Sequence, residues 1–454
     1  MRVKLLSLPL LGLVGVLVAA LSPASASSRP AAPPVGMPIQ HVVVIYQENH
    51  TFDNLLGALC VQQNNRCNGV TTGQAGTTTI PLGPTTDIVP TVDHSVIGQA
   101  TATDGGKMDG FYKINGCTAP TYACYTQAGP TSVPILWSLA TSYAISDNTY
   151  SQTPVMSWEQ HMQLGSMTLD GFYGNNPVPA PGLTGGSGWG CISPDHVLWG
   201  PKQVWVSPCV PDAAGKGPRI AGSPVPYVPD FYDNVLAANQ ISYGMYGAYY
   251  DTGTAENIWC PGCMFSTWEN SSQKTATAKH PKDILTDITS GHLPEVSYVT
   301  PLPKNSQHNT DSLIQGDNWI GSIVAAVQAS PYWASTAIVI AYDDCGCFYD
   351  HVVPPVGLGM RTPLVIVSPY AKAGYVDHTQ AAFSSSVQAF VEWVFGLPTL
   401  TSTTPDNGAY AWQNSFDFTQ VPLARTSITT TVVPPSSLRY LAAHPASQTA
   451  SADS

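Results

Sequence analysis

Four oxygen-bearing side chains stand where two apolar runs end. The first run, Val42-Val43-Val44-Ile45-Tyr46, stops at Gln47-Glu48-Asn49. The second, Ala337-Ile338-Val339-Ile340-Ala341-Tyr342, stops at Asp343-Asp344. Carboxylate and amide oxygens are hard ligands, suited to Mg²⁺, Ca²⁺ or Mn²⁺. An unbroken β-branched run reads as a strand buried on both faces, as in parallel sheets. In open α/β sheets, ligands bind just beyond the carboxyl ends of such strands. If the two strands lie parallel and close, Glu48, Asn49, Asp343 and Asp344 converge on one divalent cation. Either stretch alone reads as a turn or a helix cap. The two together carry the site.

The same stretches carry a resemblance. Residues 48–53, Glu-Asn-His-Thr-Phe-Asp, resemble the Glu-Asn-x-Ser-Phe-Asp signature of the bacterial phosphoesterase family that includes secreted phospholipases C and a group of acid phosphatases. Thr51 stands where that family usually has Ser. Residues 343–355 resemble its second signature, Asp-Glu-x-Gly-Gly-Phe-Tyr-Asp-His-Val-x-Pro-Pro, with Cys345 and Cys347 around Gly346. Matching blocks recur in order to about residue 395: Asp93-His94-Ser95, Gly106–Phe111, Thr153–His161, His292–Pro301, Ser306–Asn309 and Asp377-His378.

The resemblance implies a three-layer α/β/α sandwich, alkaline-phosphatase-like, with a mostly parallel central sheet. It implies metal-assisted hydrolysis of a phosphate ester. Ser157 aligns with the family's hydroxyl nucleophile and would form a phosphoserine, sharing the cation with Glu48, Asn49, Asp343 and Asp344. A hydroxyl at a helix start suits that chemistry, because the helix N-terminus stabilises an anion and metal contact lowers the hydroxyl pKa. An N-cap is the commoner use of Ser at such a place, and Thr153 is the alternative nucleophile. By the same resemblance His94, His308 and His378 bind phosphoryl oxygens or protonate the leaving group. His161, Asp350 and His351 read as supports behind them. Met156 and Glu159 replace family prolines, and Ser384 replaces a frequent histidine.

Repeated steps of buried strand then helix give the α/β class directly. Helical apolar spacing runs over 134–140, 314–327 and 387–395, and further strand patterns lie at 241–246 and 361–370, the second led by Arg361 and ending in a turn. Residues 58–92 read as an irregular loop. The Gly/Pro/Trp-rich stretch 171–223 reads as a long insert walling one side of the cleft.

Arg2 and Lys4, the apolar run Leu5–Leu21 and a small-residue site ending at Ala26 predict a secretory signal over 1–26. A flexible leader (27–37), a catalytic domain (38–430) and a frayed tail (431–454) follow. The protein is therefore expected outside the cell, without a stable membrane anchor. A formal net charge of −12 argues against a nucleic-acid partner. It leaves phosphate esters open, since a metal supplies positive charge locally. Ten cysteines fall in neighbour pairs and predict a disulfide framework. A tight Cys345–Cys347 ring, crossed pairs with Cys260 and Cys263, and a zinc knot among those four are the open forms. Asn270 and Asn49 each begin a glycosylation triplet, and a metal-ligating Asn49 is expected bare. The short stretch after the last signature favours a compact acid-phosphatase-type phosphomonoesterase. The alternatives are a phospholipase C acting on phospholipid head groups and a binding protein that kept the fold without the chemistry. No Cys-x-Pro-x-Arg sulfatase signature is present.

Overall fold

The computed structural model describes residues 33–186, 188–211, 229–249 and 256–445. The expected secretory signal (1–26) and the expected leader up to residue 32 lie outside the described residues. Eight strands build the central sheet: β1 (His41–Gln47), β2 (Ala144–Ser146), β3 (Tyr243–Tyr246), β4 (Ala278–Lys279), β5 (Val296–Val299), β6 (Thr336–Tyr342), β7 (Leu364–Val367) and β8 (Val376–Asp377). Their spatial order is β4-β3-β5-β1-β6-β7-β2-β8. β1 lies between β5 and β6 and runs parallel to both, with Gln47 level with Tyr342. β7 alone among these strands is antiparallel to its neighbours. The apolar runs explain the centre, because every residue of β6 and all of β1 after His41 are buried.

Among the described residues, the α-helices of eight residues or more are α1 (Val96–Thr103), α2 (Pro134–Ser142), α3 (Ser157–Ser166), α4 (Asp283–Ser290), α5 (Leu313–Ala329), α6 (Phe383–Phe395) and α7 (Pro435–Ala443). Successive strand residues point to opposite faces, and the contacts follow that rule. Tyr46 stacks on Phe383 of α6 and meets His161 of α3, each at 4.8 Å between ring centroids. Tyr298, on the same face, donates to Gln388 of α6 at 2.7 Å. Tyr342 takes the opposite face, where its hydroxyl donates to Gln307 Oε1 at 2.6 Å. The Gln307 amide in turn donates to Leu313 O, at the start of α5. Asp317 of α5 accepts from the Ile135 and Leu136 N–H groups at 2.9 and 2.8 Å, closing the N-terminus of α2, where Val133 offers no side-chain cap. Helices thus cover both faces of a mostly parallel sheet, as expected.

Four cysteine pairs are bonded as sequence neighbours: Cys60–Cys67, Cys117–Cys124, Cys191–Cys209 and Cys260–Cys263. The Cys260–Cys263 bond removes the crossed pairing and the zinc knot, while Cys345 and Cys347 are buried with their sulfurs 2.7 Å apart. The described part of the insert packs against the start of α3. Trp158 Nε1 donates to Trp189 O at 2.8 Å, and Asn176 Oδ1 accepts from the Trp158 N–H at 3.0 Å. The stretch expected to fray carries α7 instead, entered through Pro434-Pro435, whose fixed φ suits a first helical turn.

Candidate active site

Three adjacent parallel strands deliver the site at one edge of the sheet. β1 ends in Glu48 and Asn49, β6 ends in Asp343 and Asp344, and the loop after β5 carries His308. Glu48 N–H donates to Ser306 O at 3.1 Å, which ties that loop to the end of β1. Asn49 takes a left-handed φ of 61°, a conformation Asn tolerates better than most residues, so the chain turns sharply there. Its N–H donates to Asp343 Oδ1 at 2.7 Å, as does the Asp344 N–H. Asp344 Oδ1 accepts from the Gly346 N–H at 2.7 Å. All four side chains are fully buried.

Glu48 Oε1 lies 2.8 Å from His161 Nε2. Ligand atoms of Glu48, His161 and Asp343 all fall within 4.8 Å of one another. Asp343 Oδ2, Asn49 Oδ1 and Ser157 Oγ are buried with no hydrogen-bond partner. Leaving such oxygens dry and unpaired is costly, and a carboxylate is costliest. Carboxylates, an amide oxygen and a hydroxyl suit a hard divalent cation, so these residues fit one.

Ser157 is the first residue of α3, and the cap position before it is Met156, which makes no side-chain bond. Ser157 Oγ therefore does not cap the helix. His161 stands one turn further on the same helix face. Its bond to Glu48 turns that face, and Ser157 with it, toward the carboxylates. Thr153 is differently placed, because Gln163 Nε2 donates to its Oγ1 at 2.8 Å. Glu159 is buried, and burial pushes its carboxyl well above the usual range against opposing backbone hydrogen bonds.

His94 and His308 meet edge to face at 5.8 Å, and Trp259 lies 5.6 Å from His308. His94 Nδ1 lies 3.0 Å from Val92 O and donates to it, which leaves Nε2 to accept from Asn49 Nδ2 at 3.4 Å. That bond turns the Asn49 carbonyl oxygen the other way. Asn309, unremarked as a site residue in the sequence, donates to Val92 O at 3.1 Å and sits 3.4 Å from His94 Nδ1. His378 is bonded elsewhere. Its Nδ1 lies 2.8 Å from Asp147 Oδ1, and its side chain is 68% exposed.

The second halves of the two signatures build a different cluster. Arg361 is fully buried. Its Nη2 lies 3.1 Å from Asp350 Oδ2 and 3.3 Å from Asp53 Oδ1, and its guanidinium sits 4.4 Å from the Phe52 ring centre. Its Nη1 donates to Asn68 O and Asp147 O at 2.7 and 3.0 Å. His351 Nδ1 lies 2.5 Å from Asp53 Oδ2. Burial pushes the Asp350 carboxyl up to about 6, with Arg361 pulling the other way. Burial pulls His351 down, but its hydrogen bond to Asp53 and the negative charges of Asp53 and Asp350 together outweigh that and hold it above the ordinary value. Sequence reasoning gave Arg361 no role beyond leading a strand. The available signal was the second acid in each signature, which needed a cation.

A family model described as the Phosphoesterase family matches residues 39–398, and the chain belongs to that family. The match spans both signatures and both clusters. Among individual relatives, the non-hemolytic phospholipase C of Burkholderia pseudomallei is 23% identical over 405 residues, covering 75% of this chain and 54% of that protein. The chain thus spans about half the length of that relative. Phospholipase C B of Mycobacterium tuberculosis is 24% identical over 428 residues, covering 79% of this chain and 74% of that protein. A solved structure of a protein in the alkaline phosphatase superfamily from Vibrio parahaemolyticus aligns with a TM-score of 0.35 and 10% identity, covering 82% of this chain and 71% of that one.

Proposed function

We propose that this protein is a secreted, metal-dependent hydrolase of phosphate esters, with Ser157 as nucleophile and residues 38–430 as one catalytic domain. The observation that carries the assignment is Ser157 Oγ, buried and unbonded at the start of a helix whose next turn holds Glu48. Glu48, Asn49, Asp343 and Asp344 would hold the divalent cation together with Ser157. When bound, that cation supplies the positive charge that offsets charge growing on the phosphoryl oxygens and lowers the serine pKa. Ser157 Oγ then attacks phosphorus in line as His94 or His308 takes its proton, and the positive N-terminal end of α3 favours the phosphoryl anion. The bond to the leaving-group oxygen breaks as that oxygen takes a proton from His94 or His308. Water next attacks the phosphoserine, and the same imidazole accepts its proton and passes it to Ser157 Oγ as the Oγ–P bond breaks and the phosphoryl product leaves. His378, exposed and held by Asp147, is the weakest member of the set.

The substrate reading follows a groove of about 230 Å³ lined by Val96, Ala100, Pro154, Leu358 and Met360. It adjoins the segments that carry His94 and Ser157. An apolar groove beside a phosphate site favours a phosphodiester with an apolar leaving group, the phospholipase C type, and two relatives bear that name. A phosphomonoester is the second reading. Among the described residues no helix is long and apolar enough to cross a membrane. The four disulfides and the signal-like N-terminus support export.

The test compares p-nitrophenyl phosphorylcholine with p-nitrophenyl phosphate, with and without chelator. The expected result is chelator-sensitive release, faster from the diester, lost in Ser157→Ala and retained in Thr153→Val. Preference for the monoester moves the substrate to phosphomonoesters. An unchanged Ser157→Ala enzyme removes the nucleophile.

A further inference from the structure

The turn after Asp344 carries a feature that phosphoester hydrolysis does not use. Residues 345–348 form a β-turn closed by the Phe348 N–H on Cys345 O at 3.0 Å. Both central residues have positive φ, 46° at Gly346 and 48° at Cys347, as a mirror-type turn requires. The turn folds Cys347 back over Cys345 and brings their sulfurs to 2.7 Å. A disulfide bond is about 2.05 Å long, so closure needs a movement of roughly 0.6 Å. Cys347 also bears strain there, since a left-handed φ is uncommon for a residue with a Cβ.

The same turn touches the cation site on two sides. Gly346 N–H holds Asp344 Oδ1 at 2.7 Å. A Cβ on Gly346 would fall 2.1 Å from Asn49 O, so the turn is wedged against the backbone of Asn49. Whatever fixes the turn therefore fixes Asp344 and Asn49.

We propose that Cys345 and Cys347 close into a fifth disulfide that braces the cation-binding turn. The bracing half rests on the cation reading given above. Closure is a thiol–disulfide exchange. An organic disulfide, protein-borne or small, is attacked by one cysteine to give a mixed disulfide, which the second cysteine displaces. Two thiols and one incoming disulfide become the Cys345–Cys347 bond and two released thiols. The cysteines are oxidised, the incoming disulfide is reduced, and the two protons leave on the released thiols. Both sulfurs are buried in the folded chain, so closure belongs to folding.

The first test is the thiol count. Full-length protein made in an oxidising compartment is unfolded in denaturant without reductant, treated with iodoacetamide and weighed intact. No added alkyl groups is the expected result, and two added groups overturn the crosslink. The second is calorimetric titration with Mn²⁺ of wild type and of the double variant Cys345→Ala/Cys347→Gly. Glycine at 347 relieves the positive φ, so this variant keeps a foldable turn, and its far-UV circular dichroism should match wild type. The expected result is Mn²⁺ affinity at least about 10-fold weaker, in line with the loss of groups that orient ligands. Equal affinity overturns the bracing. Wild-type protein that takes up no Mn²⁺ overturns the cation reading and the bracing with it, while the thiol count still decides the crosslink.

Discussion

Two buried acidic clusters grow from the same two signatures, and they are finished differently. Around Asp53 and Asp350 the chain supplies its own cation: Arg361 reaches both carboxylates, and His351 takes the remaining oxygen of Asp53. Around Asn49 and Asp343 it leaves oxygens undirected, since Asn49 Oδ1, Asp343 Oδ2 and Ser157 Oγ meet no donor. Burying a charge is tolerable only when it is paired or coordinated to a metal. The arginine-filled cluster therefore reads as part of the fold, and the donor-lined cluster as a place kept for a ligand. The two should fail in opposite ways when broken.

The largest effect belongs to the donor-lined cluster. On the proposed reading, Asp343→Asn removes a charged ligand and should lower kcat/KM on the order of 10⁴-fold, about 5.5 kcal/mol. Stability without metal should hold or rise, because a buried charge is gone. Steady-state kinetics and urea unfolding in chelator check both halves. A large stability loss in chelator would break the comparison by making Asp343 structural. Next comes Arg361→Met, which strands Asp350 without its cation and leaves Asp53 with His351 alone. Breaking a buried pair in this way costs about 3–5 kcal/mol, read as a lower urea midpoint. A change under about 1 kcal/mol would mean the cluster is not holding the fold.

Much of the donor-lined cluster was legible because its evidence is local. A β-branched run names a buried strand, and the residue that ends the run names the sheet edge, so the sequence alone places Glu48 and Asp343 there. Their convergence needed only that β1 and β6 be parallel neighbours. Arg361 was not legible, because its partners are brought to it by the return of β7 and no periodicity sets a strand's direction. The antiparallel run of β7 was missed for the same reason. His378 shows the limit of matching blocks: the motif gives the residue, while the fold gives it Asp147 and an exposed position. At the C-terminal end, composition suggested fraying, yet Pro434-Pro435 starts a helix by presetting φ.

A sharper cut separates His161 from the oxygens it supports. His161 Nε2 on Glu48 orients the carboxylate, and the partners that orient ligands are worth about 10–100-fold in metal affinity. His161→Gln should weaken Mn²⁺ binding by that factor, about 1.4–2.7 kcal/mol, in a calorimetric titration. It should leave the urea midpoint in chelator near wild type. If affinity does not move, Glu48 is oriented by something else and the imidazole is packing.

The smallest effect lies at the wet rim of the arginine-filled cluster, where His351 is 25% exposed. Burial opposes its charge, yet Asp53 raises it above the ordinary 6.5. A group raised on folding binds its proton more tightly in the native state than in the unfolded one. Its contribution is therefore complete below 6.5 and disappears as pH rises through the folded value. Wild-type stability should fall across that window, and His351→Gln, which cannot protonate, should show a flatter profile. Because the imidazole is partly solvated, the difference should stay below about 1 kcal/mol. Urea unfolding from pH 5.5 to 9 measures it. A variant that keeps the full slope would assign the titration to another group and leave Arg361 as the sole cation closing Asp53.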